Sequence, residues 1–287
     1  MSKIDLHMHS NISTDGSHSV AELIQMAKDK EMKTIALTDH NSVRGVKEAI
    51  SLGKEAGINV IPGIEIDTMC DGIDFHMLAY GIDFESEEFQ KIEQHFYDDM
   101  IEKSWQAAEN FIKLFSLDVS KEVLESIAVR GVIVPEDLGD YLLKQAAYED
   151  AEFLKPYRPG GSRSDNPNVN FYWDYFAQGG IAYVKEDRTP YEEIIDVIHR
   201  TGGIAVIAHP NVNFKGKDEI LEKVLEKVDG IEVFSSYHTE ELCEKYFALA
   251  KKHQLKVSCG SDFHGQHKPK IQIGGIPGIG VEERIDF

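Results

Sequence analysis

Short apolar runs alternate along this chain with amphipathic stretches, and most of the runs end in histidine or a carboxylate. The runs are KIDLHMH, TIALTDH, INVIPGIEID, FHMLAYGI, IAVIAHP, GIEVFSS and KVSCGSDFH. Runs this short, separated by stretches with helical spacing, read as strands alternating with helices. Parallel strands need a crossover helix to join them, so the rhythm predicts an α/β protein built on a parallel sheet or barrel.

Helix boundaries are written locally. Ser19 and Glu22 have capping-box spacing ahead of Val20, Leu23, Ile24 and Ala27 on one face. Gly57 stops the helix SVRGVKEAISLGKEA, and further helices are read at PYEEIIDVIHR, KDEILEKVLEKV and TEELCEKYFALAKKH. From about residue 86 the alternation gives way to helix, in SEEFQKIEQHFYDDMIEKSWQAAENFIKLF, VSKEVLESI and PEDLGDYLLKQAAY. KPYRPGGSRSDNPNVN reads as a long loop, and GIAYV as the strand that resumes the rhythm. The expected organisation is a catalytic barrel from residues 1–85 and 180–287, with residues 86–179 a mostly helical insertion roofing the active site.

Composition narrows the function. With 42% apolar and 28% charged residues the chain packs a core instead of staying disordered. A formal net charge of −20 repels polyanions, which disfavours duplex DNA, although a cluster of bound cations reverses the sign locally. Cys70, Cys243 and Cys259 form no CxxC pair and are odd in number, so a disulfide framework is not expected and a cytoplasmic compartment is. No run reaches the roughly 18 apolar residues of a membrane span.

The polar residues fall at corresponding places along the runs. His7 and His9 close the first, Asp39 and His40 the second and Glu65 the third, while His76 opens the fourth. His209 closes the run after the insertion, Glu232 and His238 lie at or beyond the next, and Asp262 and His264 follow the last. In parallel α/β folds the carboxyl ends of the strands share one face, where active sites are built. Alternate residues of a strand point the same way roughly 7 Å apart, so two imidazoles in an HxH pair can reach one ion. Mixed histidine and carboxylate ligands suit zinc, manganese or iron(II). His18, His95, His199, His253 and His267 read as solvated side chains. Asp39 is either a helix cap or a ligand, and Asp15 either a turn residue or a ligand. GGIPGIG lacks the context of a phosphate loop and reads as a plain loop.

In combination, DLHMHSNISTDGS at 5–17, ALTDHNSVRG at 36–45, IPGIEI at 61–66, FHMLAYG at 75–81, VIAHPN at 206–211, GIEVFSSYH at 230–238 and CGSDFHG at 259–265 resemble the polymerase and histidinol phosphatase (PHP) superfamily of metal-dependent phosphoesterases. The resemblance implies a distorted seven-stranded βα barrel holding two or three divalent ions (Mn²⁺, Zn²⁺ or Fe²⁺). It implies His7, His9, Glu65 and Asp262 around one ion, Glu65 bridging to a second held by His76 and His209, and Asp15, His40 and His264 around a third. The helical insertion is similar to that of nucleoside 3′,5′-bisphosphate phosphatases and 5′-trimming RNA exonucleases, although the helix IEKSWQAAENFIKL lacks the arginine-rich signature usual there.

The expected activity is hydrolysis of phosphate esters of a small molecule, nucleotide or short oligonucleotide by a metal-activated hydroxide. His209, His238 or Asp262 would assist the leaving group; His238 is equally readable as a ligand or as a support for one. Arg158 and Arg163 are the candidate phosphate-binding cations. The competing readings are a metal-dependent amidohydrolase, separable by a substrate panel, and a noncatalytic metal-binding module, which would not need so many ligands.

Overall fold

A computed structural model describes residues 2–287 apart from Thr14, Arg130, Gln178, Glu186, Asp187 and Ile279; the side chain of His267 also lies outside the described residues. Its elements in chain order are β1 (Ile4–Asp5), α1 (Val20–Asp29), β2 (Thr34–Leu37), α2 (Val46–Ala56), β3 (Asn59–Cys70), β4 (Ile73–Tyr80), α3 (Glu87–Leu114), α4 (Lys121–Ile127), α5 (Pro135–Lys144), α6 (Pro167–Tyr175), α7 (Tyr191–Arg200), β5 (Ile204–Ile207), α8 (Pro210–Asn213), α9 (Asp218–Leu225), β6 (Gly230–Ser235), α10 (Glu240–His253) and β7 (Lys256–Gly260). The chain divides into two compact units, one of residues 1–93 and 188–287, the other of residues 94–187.

The first unit is a seven-stranded sheet in the order β1 to β7. Beyond β7 the sheet returns to its first strand: Leu6 N–H donates to the Cys259 carbonyl (3.0 Å) and His9 N–H to the Phe263 carbonyl (2.9 Å). The result is a nearly closed barrel. Leu6, just past β1, Ala36 of β2, Leu78 and Tyr80 of β4 and Val206 of β5 pack into one buried cluster inside it. Helices α1 and α2 cover β2 with a second cluster that includes Leu23, Ile24, Ala49 and Ile35. The Ser19 capping box forms, and Gly57 ends α2 in the left-handed region at φ 74°.

The barrel departs from uniform parallel order at one strand. β4 runs antiparallel to both β3 and β5, whereas the other pairings are parallel. The cause is the two-residue turn Asp71-Gly72, with φ of 49° and 79°. Two consecutive positive φ values match the type I′ hairpin that Asp-Gly favours. With no crossover helix here, the start of β4 lies at the barrel end reached by the finish of β3. His76, early in β4, therefore joins residues that close the parallel strands.

The second unit packs α4, α5, α6 and most of α3 on an aromatic core of Phe111, Tyr157, Phe171 and Phe176 with Leu138 and Leu142. Two expectations fail here. The end of the expected loop is helical, because Pro167 sits at the first position of α6, where its missing N–H costs nothing, and Phe171 is buried. Residues 180–184, the expected strand GIAYV, form no strand. A turn at Gly179-Gly180 carries the chain back, and Ala182 N–H donates to the Tyr175 carbonyl (2.9 Å) with its methyl buried in the helical core.

Candidate metal centre

The two imidazoles of DLHMHS are buried, as are Leu6 and Met8 between and before them. His7 Nε2 lies 3.0 Å from Glu65 Oε2 and 3.2 Å from Asp262 Oδ1; His9 Nε2 lies 3.1 Å from each of the same two oxygens. Such an approach requires glycine at 260, where a Cβ would stand 2.1 Å from that of His7 and 2.6 Å from Glu232 Oε1.

The other Glu65 oxygen faces a second pair: Oε1 is 3.0 Å from His76 Nδ1 and 3.1 Å from His209 Nε2. Across the first group, Asp15 Oδ2 is 3.0 Å from His264 Nε2 and 3.6 Å from His40 Nε2. The opposite nitrogen of His40, Nδ1, looks back to Glu65 Oε2 at 3.4 Å. Four sets thus bring one ligand atom per residue within 4.8 Å of one another: His7, His9, Glu65 and Asp262; Glu65, His76 and His209; His9, Asp15, His40 and His264; and His40, Asp67 and His76.

These atoms fit divalent cations on two grounds. Ligands bonded at about 2.1 Å to one ion stand about 3.0–3.4 Å apart in octahedral or tetrahedral arrangement, which is the spacing of the first two sets. The far sides of the rings are also occupied. His7 Nδ1 meets Glu232 Oε1 (3.0 Å), His9 Nδ1 the Ser13 hydroxyl (3.3 Å), His209 Nδ1 Asn213 Oδ1 (3.0 Å) and His264 Nδ1 the Asp262 carbonyl (2.8 Å). A ring that donates from Nδ1 presents a lone pair at Nε2, the form a metal ligand takes. His9 Nε2, His40 Nδ1 and His264 Nε2 are buried without a hydrogen bond although carboxylate oxygens stand 3.0–3.4 Å away, and Asp15 Oδ1 is likewise buried without one.

A sequence model of the PHP domain matches residues 5–243. The chain belongs to the PHP domain family. It is 29% identical over 276 residues to the 5′-3′ exoribonuclease Rnm of Escherichia coli, covering 94% of this chain and 87% of that protein. It is 26% identical over 279 residues to the 3′,5′-nucleoside bisphosphate phosphatase of Chromobacterium violaceum, covering 96% and 91%. A solved structure described as an amidohydrolase from Chromobacterium violaceum, with bound sulfate and no metal, shares the fold at a TM-score of 0.73 and 24% identity, over 99% of this chain and 98% of that one. The PHP match ends before Asp262 and His264, which join the centre by geometry.

In this PHP centre the charges oppose desolvation. Burial pushes Glu65 and Asp262 upward, but the surrounding imidazoles, His7 foremost, hold both carboxyls well below their ordinary range. Burial disfavours the charged form of His40, yet Glu65 and Asp15 raise it to about 10 in the metal-free chain. Two of these residues have strained backbones: His209 has φ 24° and Asp262 φ 57°. Each costs on the order of 1–3 kcal/mol and is sustained by its surroundings. His209 N–H donates to Glu232 Oε2 (2.7 Å), and Asp262 N–H to the His7 carbonyl (2.8 Å).

Other residues singled out in the sequence take different places. Asp39 is neither a helix cap nor part of any of the four sets; it accepts from Ser10 N–H (2.7 Å), Ser10 Oγ (2.8 Å) and Ser13 Oγ (3.0 Å), pinning the loop after His9. His238 also stands outside the four sets. Its Nδ1 donates to the Val233 carbonyl (2.8 Å), its ring packs on Tyr246, its Nε2 is unpartnered, and burial lowers its pKa. Arg158 donates to the Leu143 and Tyr148 carbonyls (3.0 and 2.9 Å), and Arg163 forms a two-pronged pair with Asp174 (3.0 and 2.6 Å), all within the helical unit.

Asp67, Arg188, Tyr237 and Lys268 were not singled out in the sequence. Asp67 Oδ1 is 3.4 Å from His76 Nε2, and its Oδ2 pairs with Arg188 at 2.6 Å. Burial opposes ionisation of Asp67, but Arg188 prevails and holds it at about 2. Asp67 is two residues from Glu65 on the same strand, so period-2 reading from the ligand was the available clue.

Proposed function

We propose that this PHP protein is a metal-dependent phosphoric ester hydrolase acting on a phosphorylated small molecule, a nucleotide or a short single-stranded oligonucleotide. The observation that carries the reading is the sharing of Glu65: its two oxygens serve two ligand groups at the spacing divalent ions impose. We assign His7, His9, Glu65 and Asp262 to one ion, Glu65, His76 and His209 to a second, and Asp15, His40 and His264 to a third, with Mn²⁺, Zn²⁺ and Fe²⁺ as the candidates. Ions bound there would activate water and neutralise phosphate charge.

The chain's own part is to hold the ligand rings in one tautomer and one orientation. Glu232, Ser13, Asn213 and the Asp262 carbonyl fix four rings from behind. A neutral His238 that donates from Nδ1 to Val233 has an accepting Nε2, which supports proton uptake over proton donation. Asp262 at the centre is held ionised and has no proton to give, so leaving-group assistance falls to His209. The names of the Escherichia coli and Chromobacterium violaceum relatives, a ribonuclease and a nucleotide phosphatase, support a nucleotide phosphate as substrate. The three cysteines, all buried and unpaired, fit a reducing cytoplasm.

The test is a substrate panel with Mn²⁺-loaded protein, comparing phosphomonoesters, nucleoside 3′,5′-bisphosphates, short 5′-phosphorylated RNA and amides. Phosphate or nucleotide release that chelation abolishes is expected. Cleavage of amides alone, or of nothing, overturns the proposal.

A further inference from the structure

An anionic substrate approaching a chain of net charge −20 needs a cation besides the metals, and Arg158 and Arg163 already have partners within the helical unit. Beside the metal ligands, the structure points elsewhere. Asp262 is two-faced: Oδ1 looks toward His7 and His9 at 3.2 and 3.1 Å, while Oδ2 accepts from the Tyr237 hydroxyl (2.5 Å) and from Lys268 Nζ (2.6 Å). Lys268 Nζ also donates to the Tyr237 oxygen (2.9 Å).

We propose that Lys268, steadied by Tyr237, is a substrate-binding residue that takes a nonbridging phosphate oxygen beside the metal centre. The proposal rests on the phosphoesterase reading. An ammonium carries three N–H donors. Two are committed, to Asp262 and Tyr237, and the third is left for an incoming acceptor. Exposure agrees, because the Lys268 side chain is 34% exposed against 3% for Asp262.

The position follows from the chain path. Lys268 comes four residues after His264, past the short turn Gly265–His267 that follows β7, at the end of the barrel where the ligands gather. Arg188, another cation near the ligands, is set differently, with Nη1 on Asp67 (2.6 Å) and Nε 3.7 Å from Asp74, and it is 19% exposed. Lys268 is thus the better placed of the two to exchange water for phosphate. A compact ammonium reads charge more than shape, whereas a planar guanidinium imposes a two-pronged geometry. Lys268 therefore suits a terminal phosphate whose ester group varies, and its loss acts alike on all phosphoesters the enzyme accepts.

The experiment compares wild type with Lys268→Met and Lys268→Arg, each loaded with Mn²⁺. It reads KM, the dissociation constant of inorganic phosphate by calorimetry, and manganese per chain by elemental analysis. Lys268→Met should raise both KM and the phosphate dissociation constant about tenfold or more with manganese unchanged, and Lys268→Arg should recover part of each. Unchanged phosphate binding in Lys268→Met overturns the assignment. So does loss of manganese in step with loss of phosphate binding, which would make Lys268 a positioning residue for Asp262. Should Lys268→Met fail to fold, Lys268→Gln is read by the same criteria. A wild type inactive on every phosphoester refutes the phosphoesterase reading, while phosphate calorimetry on the same proteins still decides the role of Lys268.

Discussion

Glu232 aligns ligands from two ends of the chain, giving one oxygen to the His7 ring and the other to the backbone of His209. Replacing it with Gln keeps the volume and removes the charge. Glu232→Gln should weaken metal binding roughly 10–100-fold while the fold persists, as loss of a ligand's outer partner does; a metal titration followed by calorimetry reads it, and unaltered affinity would remove Glu232 from that role. Asp67 gives a pH-dependent counterpart. Its folded value, about 2, lies below the ordinary carboxylate value, so the stability it contributes is complete above about pH 4 and lost as pH falls through 2. Arg188→Met should therefore cost the chelated protein up to about 2 kcal/mol at pH 7, and the gap to wild type in urea unfolding should narrow from pH 4 to pH 2. Histidines placed by HxH and by DFH were legible because a strand's two-residue period puts them on one side. Tyr237 and Lys268 were not, because their partnership with Asp262 spans 25 and 6 residues without a repeating pattern.

Elements were legible where a local signal decides them. The Ser19 capping box and the Gly57 stop each act within four residues, and each forms. Direction of β4 was misread, since the alternation of strands and helices hides a hairpin whose only mark is Asp71-Gly72. The failed strand at GIAYV has a different cause: its alternating pattern serves equally to bury Ala182 against helices. Gly72 has φ 79°, a conformation costly for a β-branched residue. Gly72→Val should destabilise the protein by about 1–2 kcal/mol, and by loosening the β3–β4 pairing that sets His76 opposite Asp67 it should lower manganese per chain. Thermal unfolding and elemental analysis on the same sample check both parts; normal metal content would show that the turn does not set the pairing.

At the scale of the molecule, metal ions that bind the folded centre and not the unfolded chain stabilise the fold by mass action. Chelation should therefore lower the thermal midpoint. At a metal concentration of 100–1,000 times the dissociation constant, binding adds about 3–4 kcal/mol, or roughly 6–16 °C for a chain of this size. Midpoints measured with EDTA and with graded Mn²⁺ check this, and a midpoint indifferent to metal would contradict it. Acid should act in the same direction, because protons compete for the imidazoles. Among the described residues no helix is long and apolar enough to cross a membrane.

The barrel's last seam joins residues near the two ends of the sequence, where Asp262 N–H meets the His7 carbonyl. During synthesis His7 waits for an aspartate that is translated 255 positions later. Prematurely terminated copies ending before that point lack a complete cage. They should release no phosphate, so that hydrolytic power is confined to chains that extend past the last strand of the barrel.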